Sequence, residues 1–441
     1  MLLDPRLTPP PSLAALLGAF RACFTGPSFA VFCALASGFL AQTARRTVCG
    51  MLLGARLSRV WSHHRAHRFF SAARWSPEQL SAVLAGLIVD LLVPDGQAVT
   101  VAIDDTLFHR RGPKVHAASW FHDGSAQGGR KVGYGNNWVI AAIVVTLPFL
   151  DRPLALPVGF ALVHKGSDDS RLTLARRLVE HLVATLPDRA IHVVADSAYA
   201  GRTLRALPAA ITWTTRLRSN AALYQLAEAP PRTGRRGRPR LKGARLAGLA
   251  DLAAESTFTP TAVHRYGATT TVQAAVLNCL WYGVFGPQPV QVVLVRDRAT
   301  TTGYGIALVS TDLTATAAQV IERYAARWSI EVAIEDAKQT TGVGQARNRS
   351  PRAVERTVPF GLIIGSLAIC WYATTGYHPD DVTAVRELAP WYRDKAQPSV
   401  ADMLAKLRRV IIASQFRHAG PQPVTPTEIN ILRMAWENAA A

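Results

Sequence analysis

Residues 98–106 read Ala98-Val99-Thr100-Val101-Ala102-Ile103-Asp104-Asp105-Thr106. Small and β-branched residues without Gly or Pro spell a buried strand, and this one ends on two carboxylates. The pattern returns at Ile191-His192-Val193-Val194-Ala195-Asp196, again a strand closing on an acid. Between the two, Asn137–Leu147 and Leu154–Val163 read as further strands. Ser170–Thr185 reads as a helix, with Asp168, Asp169 and Ser170 as candidate caps. Thr203–Leu207 is expected in the next helix. Strands alternating with helices at this spacing predict an α/β core over residues 96–215.

Upstream, residues 1–95 carry a helical pattern. An apolar run from Ser12 to Phe24 stops at Gly26-Pro27, and a second runs from Ser28 to Gln42. Ser76-Pro77-Glu78 combines an N-cap with proline at the first helical position and opens a helix to about Leu92. The basic, His-rich stretch Trp61–Arg68 is read as a DNA-contacting helix rather than a metal site. Downstream, residues 216–310 hold β-type runs (Thr270–Leu280, Pro289–Val295, Ile306–Ser310) and no long helix. Residues 311–378 turn helical, with Thr314–Thr341 read as one helix and Arg352–Thr375 as the next. A C-terminal helical region at 379–441 contains Val400–Phe416 and Pro426–Glu437.

A chain of 441 residues, 49% hydrophobic and 18% charged, buries a sizeable core, which argues against global disorder. Its net charge of +19 is the footprint of a polyanion binder, nucleic acid first. Five scattered cysteines form no CxxC pair, which argues against a disulfide framework and a Cys-based zinc site. The proline-rich start lacks a signal-peptide pattern, and Phe29–Leu40 is too short to span a bilayer. A soluble protein of a reducing compartment is expected.

The third acid comes from Tyr324-Ala-Ala-Arg327-Trp-Ser-Ile-Glu331-Val-Ala-Ile-Glu335-Asp-Ala-Lys338. At about 100° per residue, Tyr324, Arg327, Glu331 and Lys338 fall within an arc of about 60°. An Arg327–Glu331 surface pair at i, i+4 would explain two of the four. Trp328 and Ile334 flank the stripe, so it is expected to be partly buried. Three acids from distant positions, two of them at strand ends where α/β folds bind ligands, suit hard divalent cations, which take oxygen ligands. Two such ions activate the attacking oxygen and stabilise the leaving one in phosphodiester chemistry. An Asp after a strand is also an ordinary turn former or helix cap, so position alone does not assign Asp105 or Asp196.

The spacing Tyr-x2-Arg-x3-Glu-x6-Lys resembles the YREK signature of bacterial insertion-sequence DDE transposases, cut-and-paste enzymes with an RNase H-like core. Only seven of the 49 basic residues are Lys, and chance would produce the spacing roughly once in a thousand such chains. Asp105-Thr106 and Asp196 also fit that family's two strand-end acids, and residues 216–310 its β-rich insertion. The resemblance covers roughly residues 98–345. It implies that Asp105, Asp196 and Glu331 ligate two Mg²⁺ ions, with Mn²⁺ as a substitute. It implies that Tyr324, Arg327 and Lys338 grip phosphates of double-stranded DNA at a transposon end. Asp104, adjacent to Asp105, and Glu335, close to the same helical face, are the alternatives; spacing to Arg327 and Lys338 selects Glu331. A homodimer holding two ends, in the bacterial cytoplasm and nucleoid-associated, is implied as well. An inactive DNA-binding regulator on the same fold and a metal nuclease without strand transfer remain the other functional readings.

The loop at 230–245 holds Arg235, Arg236, Arg238 and Arg240 in an Arg-Gly-Arg-Pro setting that resembles an AT-hook, with a solvated linker as the other reading. Narrow minor grooves concentrate negative potential and attract inserted Arg. Trp281, after a strand of the insertion, is a candidate for stacking on a flipped base, with a core or sheet-surface aromatic as the alternative.

Overall fold

The computed structural model describes residues 9–124, 126, 131–227, 240–297, 303–414, 425–427, 429, 430 and 434. They form a mixed α/β structure on a ten-stranded sheet. Five helices come first: α1 (Pro11–Gly18), α2 (Gly26–Ala41), α3 (Val48–Gly54), α4 (His63–Ser71) and α5 (Pro77–Leu92). Their starts follow local chemistry. The Thr25 side chain accepts from the Ser28 N–H to cap α2, and Ser76 accepts from the Glu78 N–H to cap α5.

The sheet begins with β1 (Val99–His109), β2 (Ser119–His122), β3 (Val132–Val145) and β4 (Leu154–Leu162). After α6 (Arg171–Thr185) come β5 (Ile191–Ala195) and β6 (Ile211–Arg216). In space the order is β4-β3-β1-β5-β6, with β2 on the same edge of β3 as β4. β1, β3 and β4 are antiparallel; β5 and β6 run parallel to β1. This arrangement is consistent with an RNase H-like core. β1 does not stop at Ile103, because β3 partners it as far as His109 opposite Gly135. Asp104 and Asp105 therefore lie inside a strand. Gly135 is needed there: a Cβ would stand 2.2 Å from the Phe108 carbonyl oxygen. The helix expected at 203–207 is replaced by two short 3₁₀ turns, Ser197–Tyr199 and Arg202–Leu204, since Pro208 supplies no N–H to extend them.

The next stretch contributes α7 (Leu249–Glu255), β7 (Thr259–Arg265), β8 (Ala268–Leu280), α8 (Tyr282–Phe285), β9 (Pro289–Arg296) and β10 (Ile306–Ser310). β7, β8, β9 and β10 form an antiparallel meander. Tyr266 and Gly267, both at positive φ, make the tight two-residue turn between β7 and β8. β10 pairs with β6, Ser310 opposite Thr214, so the meander prolongs the core sheet.

Five helices follow: α9 (Ala317–Ala326), α10 (Trp328–Gln339), α11 (Pro351–Trp371), α12 (Asp381–Leu388) and α13 (Val400–Ser414). The single helix expected over Thr314–Thr341 is divided at Arg327. There the Arg327 N–H bonds the Tyr324 carbonyl and the Ile330 N–H bonds the Arg327 carbonyl, a 3₁₀ tightening. The Pro426–Glu437 helix lies mostly outside the described residues.

α11 and the turn after it, Pro351–Gly376, are long and apolar enough to cross a membrane, but 83% of the apolar window is buried within the fold. Phe360 on α11 meets Phe32, Phe39, Phe69 and Phe70 edge-on. Buried Arg356 lies over the Trp75 ring and donates to the carbonyls of Phe70, Ala73 and Trp75. It thus closes the end of α4 onto α11 and satisfies backbone acceptors that burial would otherwise leave unpaired.

Candidate active site

Parallel pairing of β1 with β5 sets Ile103 opposite Ala195. Asp104 and Asp196, the next residue on each chain, thus emerge side by side at about the spacing of adjacent strands. Alternation along β1 sends Asp104 and Asp105 to opposite faces of the sheet.

On one face, Asp105 sits in a closed set of hydrogen bonds. Its carboxylate accepts from the Tyr199 hydroxyl at 2.9 Å, from Asn137 Nδ2 at 3.0 Å, and lies 3.2 Å from Arg171 Nε at the start of α6. Tyr199 is delivered by the 3₁₀ turn that Asp196 opens, Asp196 accepting from the Ser197 N–H at 2.6 Å. Burial, reinforced by the negative charges of Asp105 and Asp104, pushes the Tyr199 phenol far above its ordinary pKa, so it stays protonated and donates.

Asp104 faces the other way, toward α10. Burial pushes its carboxyl up to about 6; the Asp105 N–H and Arg327 oppose the shift, while Asp105 and Glu331 add to it. Arg327 and Glu331 form an ion pair at 2.7 Å. Burial works against the Arg327 charge, but Glu331, Tyr324 and Asp104 outweigh it and raise its pKa. The Arg327 guanidinium lies 5.6 Å from the Tyr324 ring centre. Burial raises the Tyr324 phenol, with Arg327 opposing and Asp196 reinforcing. Lys338 reaches the same region, 5.9 Å from the Phe108 ring centre; burial lowers its pKa against the pull of Asp123 and Asp104.

One face of the sheet therefore gathers Asp104, Asp196, Tyr324, Arg327, Glu331 and Lys338. Asp105 is turned from this group by strand alternation. Glu335 is exposed and accepts from Gln339 Nε2 at 3.0 Å. The stripe is half-buried, although Trp328 beside it is 51% exposed. Sequence reasoning did not find Asn137, Arg171, Tyr199 or Asp123. Only Tyr199 left a trace, its position three residues after Asp196.

Sequence similarity bears on the same strands. A family model described as DDE superfamily endonuclease matches residues 19–283. The chain belongs to the DDE superfamily of endonucleases. Membership makes it an enzyme of a class that acts on DNA, and DDE enzymes generally use divalent metals. The matched span of this DDE endonuclease runs from the N-terminal helices through β8 and takes in Asp104, Asp105 and Asp196; α10 and Glu331 lie beyond it. No curated protein matches the chain.

The remaining candidates stand apart from this face. Arg235, Arg236 and Arg238 lie outside the described residues, and Arg240 is exposed at the edge of that stretch. Nearby, Lys242 Nζ sits 3.9 Å from the Tyr224 ring centre and 5.1 Å from that of Tyr282. Trp281 is half-buried and packs on Phe285 at 6.1 Å between ring centres.

Proposed function

We propose that this DDE endonuclease is a transposase that cuts and rejoins DNA at transposon ends, with Asp104, Asp196 and Glu331 as its metal-binding acids. The observation that carries the reading is that Asp104 faces Arg327, Glu331 and Lys338 on α10, while the neighbouring Asp196 faces Tyr324 on α9. The donor set fits hard divalent ions. It offers carboxylate oxygens only, and the negative charge of Glu331 adds to the cost of the Asp104 carboxylate until a cation shares it. Two Mg²⁺ ions, or Mn²⁺ in their place, would supply activation of the attacking oxygen and charge relief at the leaving oxygen.

The protein's own side chains do the positioning. Arg327 Nε is buried without a hydrogen-bond partner among the described residues, a donor left for an oxygen such as a phosphate's. Lys338 and the Tyr324 hydroxyl extend that grip along the backbone of double-stranded DNA. Asp105 does not share the face; held by Tyr199, Asn137 and Arg171, it fixes β1 and, through Tyr199, the turn that follows Asp196. A homodimer holding both ends, working in the bacterial cytoplasm at the nucleoid, belongs to the same reading.

The test is incubation of the full chain with candidate end DNA and Mg²⁺ or Mn²⁺, followed by mapping of cut and joined strands. Asp104→Asn, Asp196→Asn and Glu331→Gln are each expected to lose cleavage by at least about a hundredfold while still binding ends, whereas Asp105→Asn loses about tenfold. If Asp105→Asn is the dead variant and Asp104→Asn cuts normally, the acids have been assigned to the wrong face. Cut but unjoined products identify a nuclease; bound, uncut DNA identifies a regulator.

A further inference from the structure

Away from the carboxylates, three other metal-ligating side chains meet. His116 comes from the loop between β1 and β2, His164 from just beyond β4, and Glu355 from the second turn of α11. One ligand atom from each lies within 4.8 Å of the other two. The two imidazoles are 5.4 Å apart between centres, at 68° to each other.

The contact between His116 and Glu355 is the informative one. His116 Nε2 stands 3.4 Å from Glu355 Oε1. Yet that nitrogen is buried and makes no hydrogen bond among the described residues. A direct proton-sharing pair would close to about 2.7–2.9 Å with good alignment. Two ligands each about 2.0–2.1 Å from one tetrahedral ion stand about 3.3–3.4 Å apart. The observed separation fits two atoms that share an ion.

The site is also held in place. The His116 N–H donates to the Arg349 carbonyl at 3.0 Å, and its carbonyl accepts from Asn136 Nδ2 at 2.8 Å. Asn136 is fully buried and in turn accepts from Arg110 Nε at 2.9 Å. The ring is therefore mounted on a fixed backbone, while His164 and Glu355 approach it from the exposed side.

We propose that His116, His164 and Glu355 form a site for one divalent transition-metal ion of the zinc class, with water as the fourth ligand. Two imidazoles and one carboxylate select such an ion over Mg²⁺, which prefers an all-oxygen octahedron. The ion would clip the β1–β2 loop and the end of β4 to α11. No member of the site belongs to the Asp104–Asp196–Glu331 face, so the two proposals stand or fall separately.

The test uses the full chain, dialysed against micromolar ZnCl₂ with millimolar MgCl₂ and counted for bound zinc by mass spectrometry. One zinc per chain is expected, kept by an Asp104→Asn/Glu331→Gln variant. His164→Ala and Glu355→Gln are each expected to bind zinc at least about tenfold more weakly. Both side chains are exposed, and circular dichroism checks that the variants remain folded. Zinc-edge absorption should show two imidazole nitrogens and oxygen ligands at about 2.0–2.1 Å. The proposal is overturned if the wild type retains no zinc, if His164→Ala retains as much as wild type, or if only the carboxylate variant loses it.

Discussion

Asp104 and Asp105 differ by one position and, in this structure, by the helix each side chain faces, α10 for Asp104 and α6 for Asp105. The pair shows what a sequence can and cannot specify. A run of β-branched residues ending in two acids announces a strand edge, but not how far the neighbouring strand carries the pairing. Pairing with β3 through Gly135 decides which acid faces α10. Tyr199→Phe isolates the support on the opposite face. It is expected to cost about 1.5–3 kcal/mol in denaturant unfolding, the worth of one hydrogen bond to a charged group, and to lower cleavage no more than Asp105→Asn does. A second residue-scale expectation concerns Asp312. Burial works against its charge, but hydrogen bonds from Arg323 at 2.7 Å and from Thr314 outweigh it and lower its carboxyl to about 2. A depressed folded-state pKa means that the unfolded chain binds the proton first as pH falls. The pair's stabilisation is therefore complete above about pH 4 and lost on acidification toward pH 2, a change of about 2 kcal/mol. Comparing Asp312→Asn with wild type by thermal unfolding from pH 5 to pH 2 checks it: the gap should close as pH falls, and a constant gap would reject it.

The elements divide by how locally they are encoded. α5 was legible from Ser76-Pro77-Glu78, and β5 from its apolar run, because a cap or a short buried strand needs little beyond its own residues. The α9–α10 break was not legible. Arg327 keeps right-handed helical torsions, φ −52° and ψ −35°, so helical periodicity survives and only the hydrogen-bond pattern changes. β7 was missed for another reason: its exposed Thr- and Pro-containing sequence becomes a strand because β8 is there to pair with it. Arg356 is the long-range link whose loss should be most costly at this scale. Arg356→Met keeps volume but strips two buried carbonyls and one part-buried carbonyl of their donor. The expected loss is about 2–4 kcal/mol in urea unfolding, well above the typical surface substitution.

At the scale of the whole molecule, the +19 charge and the family both point to DNA, and electrostatics then dictates a measurable signature. Affinity for end DNA is expected to fall linearly in log–log form with salt, losing about 0.9 in slope for each phosphate contact removed. Lys338→Met should flatten the slope by about one such unit. Replacing Arg235, Arg236, Arg238 and Arg240 together by Ser should flatten it further while leaving cleavage at saturating DNA within about twofold. An unchanged slope in the fourfold variant would make that segment a spacer rather than a DNA contact. Composition alone indicates the kind of partner. It could not give the site, because which strands lie side by side, as β1 and β5 do at Ile103 and Ala195, is a property of strand order, which one-dimensional patterning does not contain.

The pairing of β10 with β6 carries a mechanical corollary. Among the described residues, hydrogen-bonded strands run without a break from the meander through β10, β6 and β5 to β1. Lys242, Tyr224 and Tyr282 are therefore attached to a plank that also contains β1, its graduations the roughly 4.8 Å steps from strand to strand. Anything gripped at that patch is spaced from the carboxylates by the run of paired strands between them.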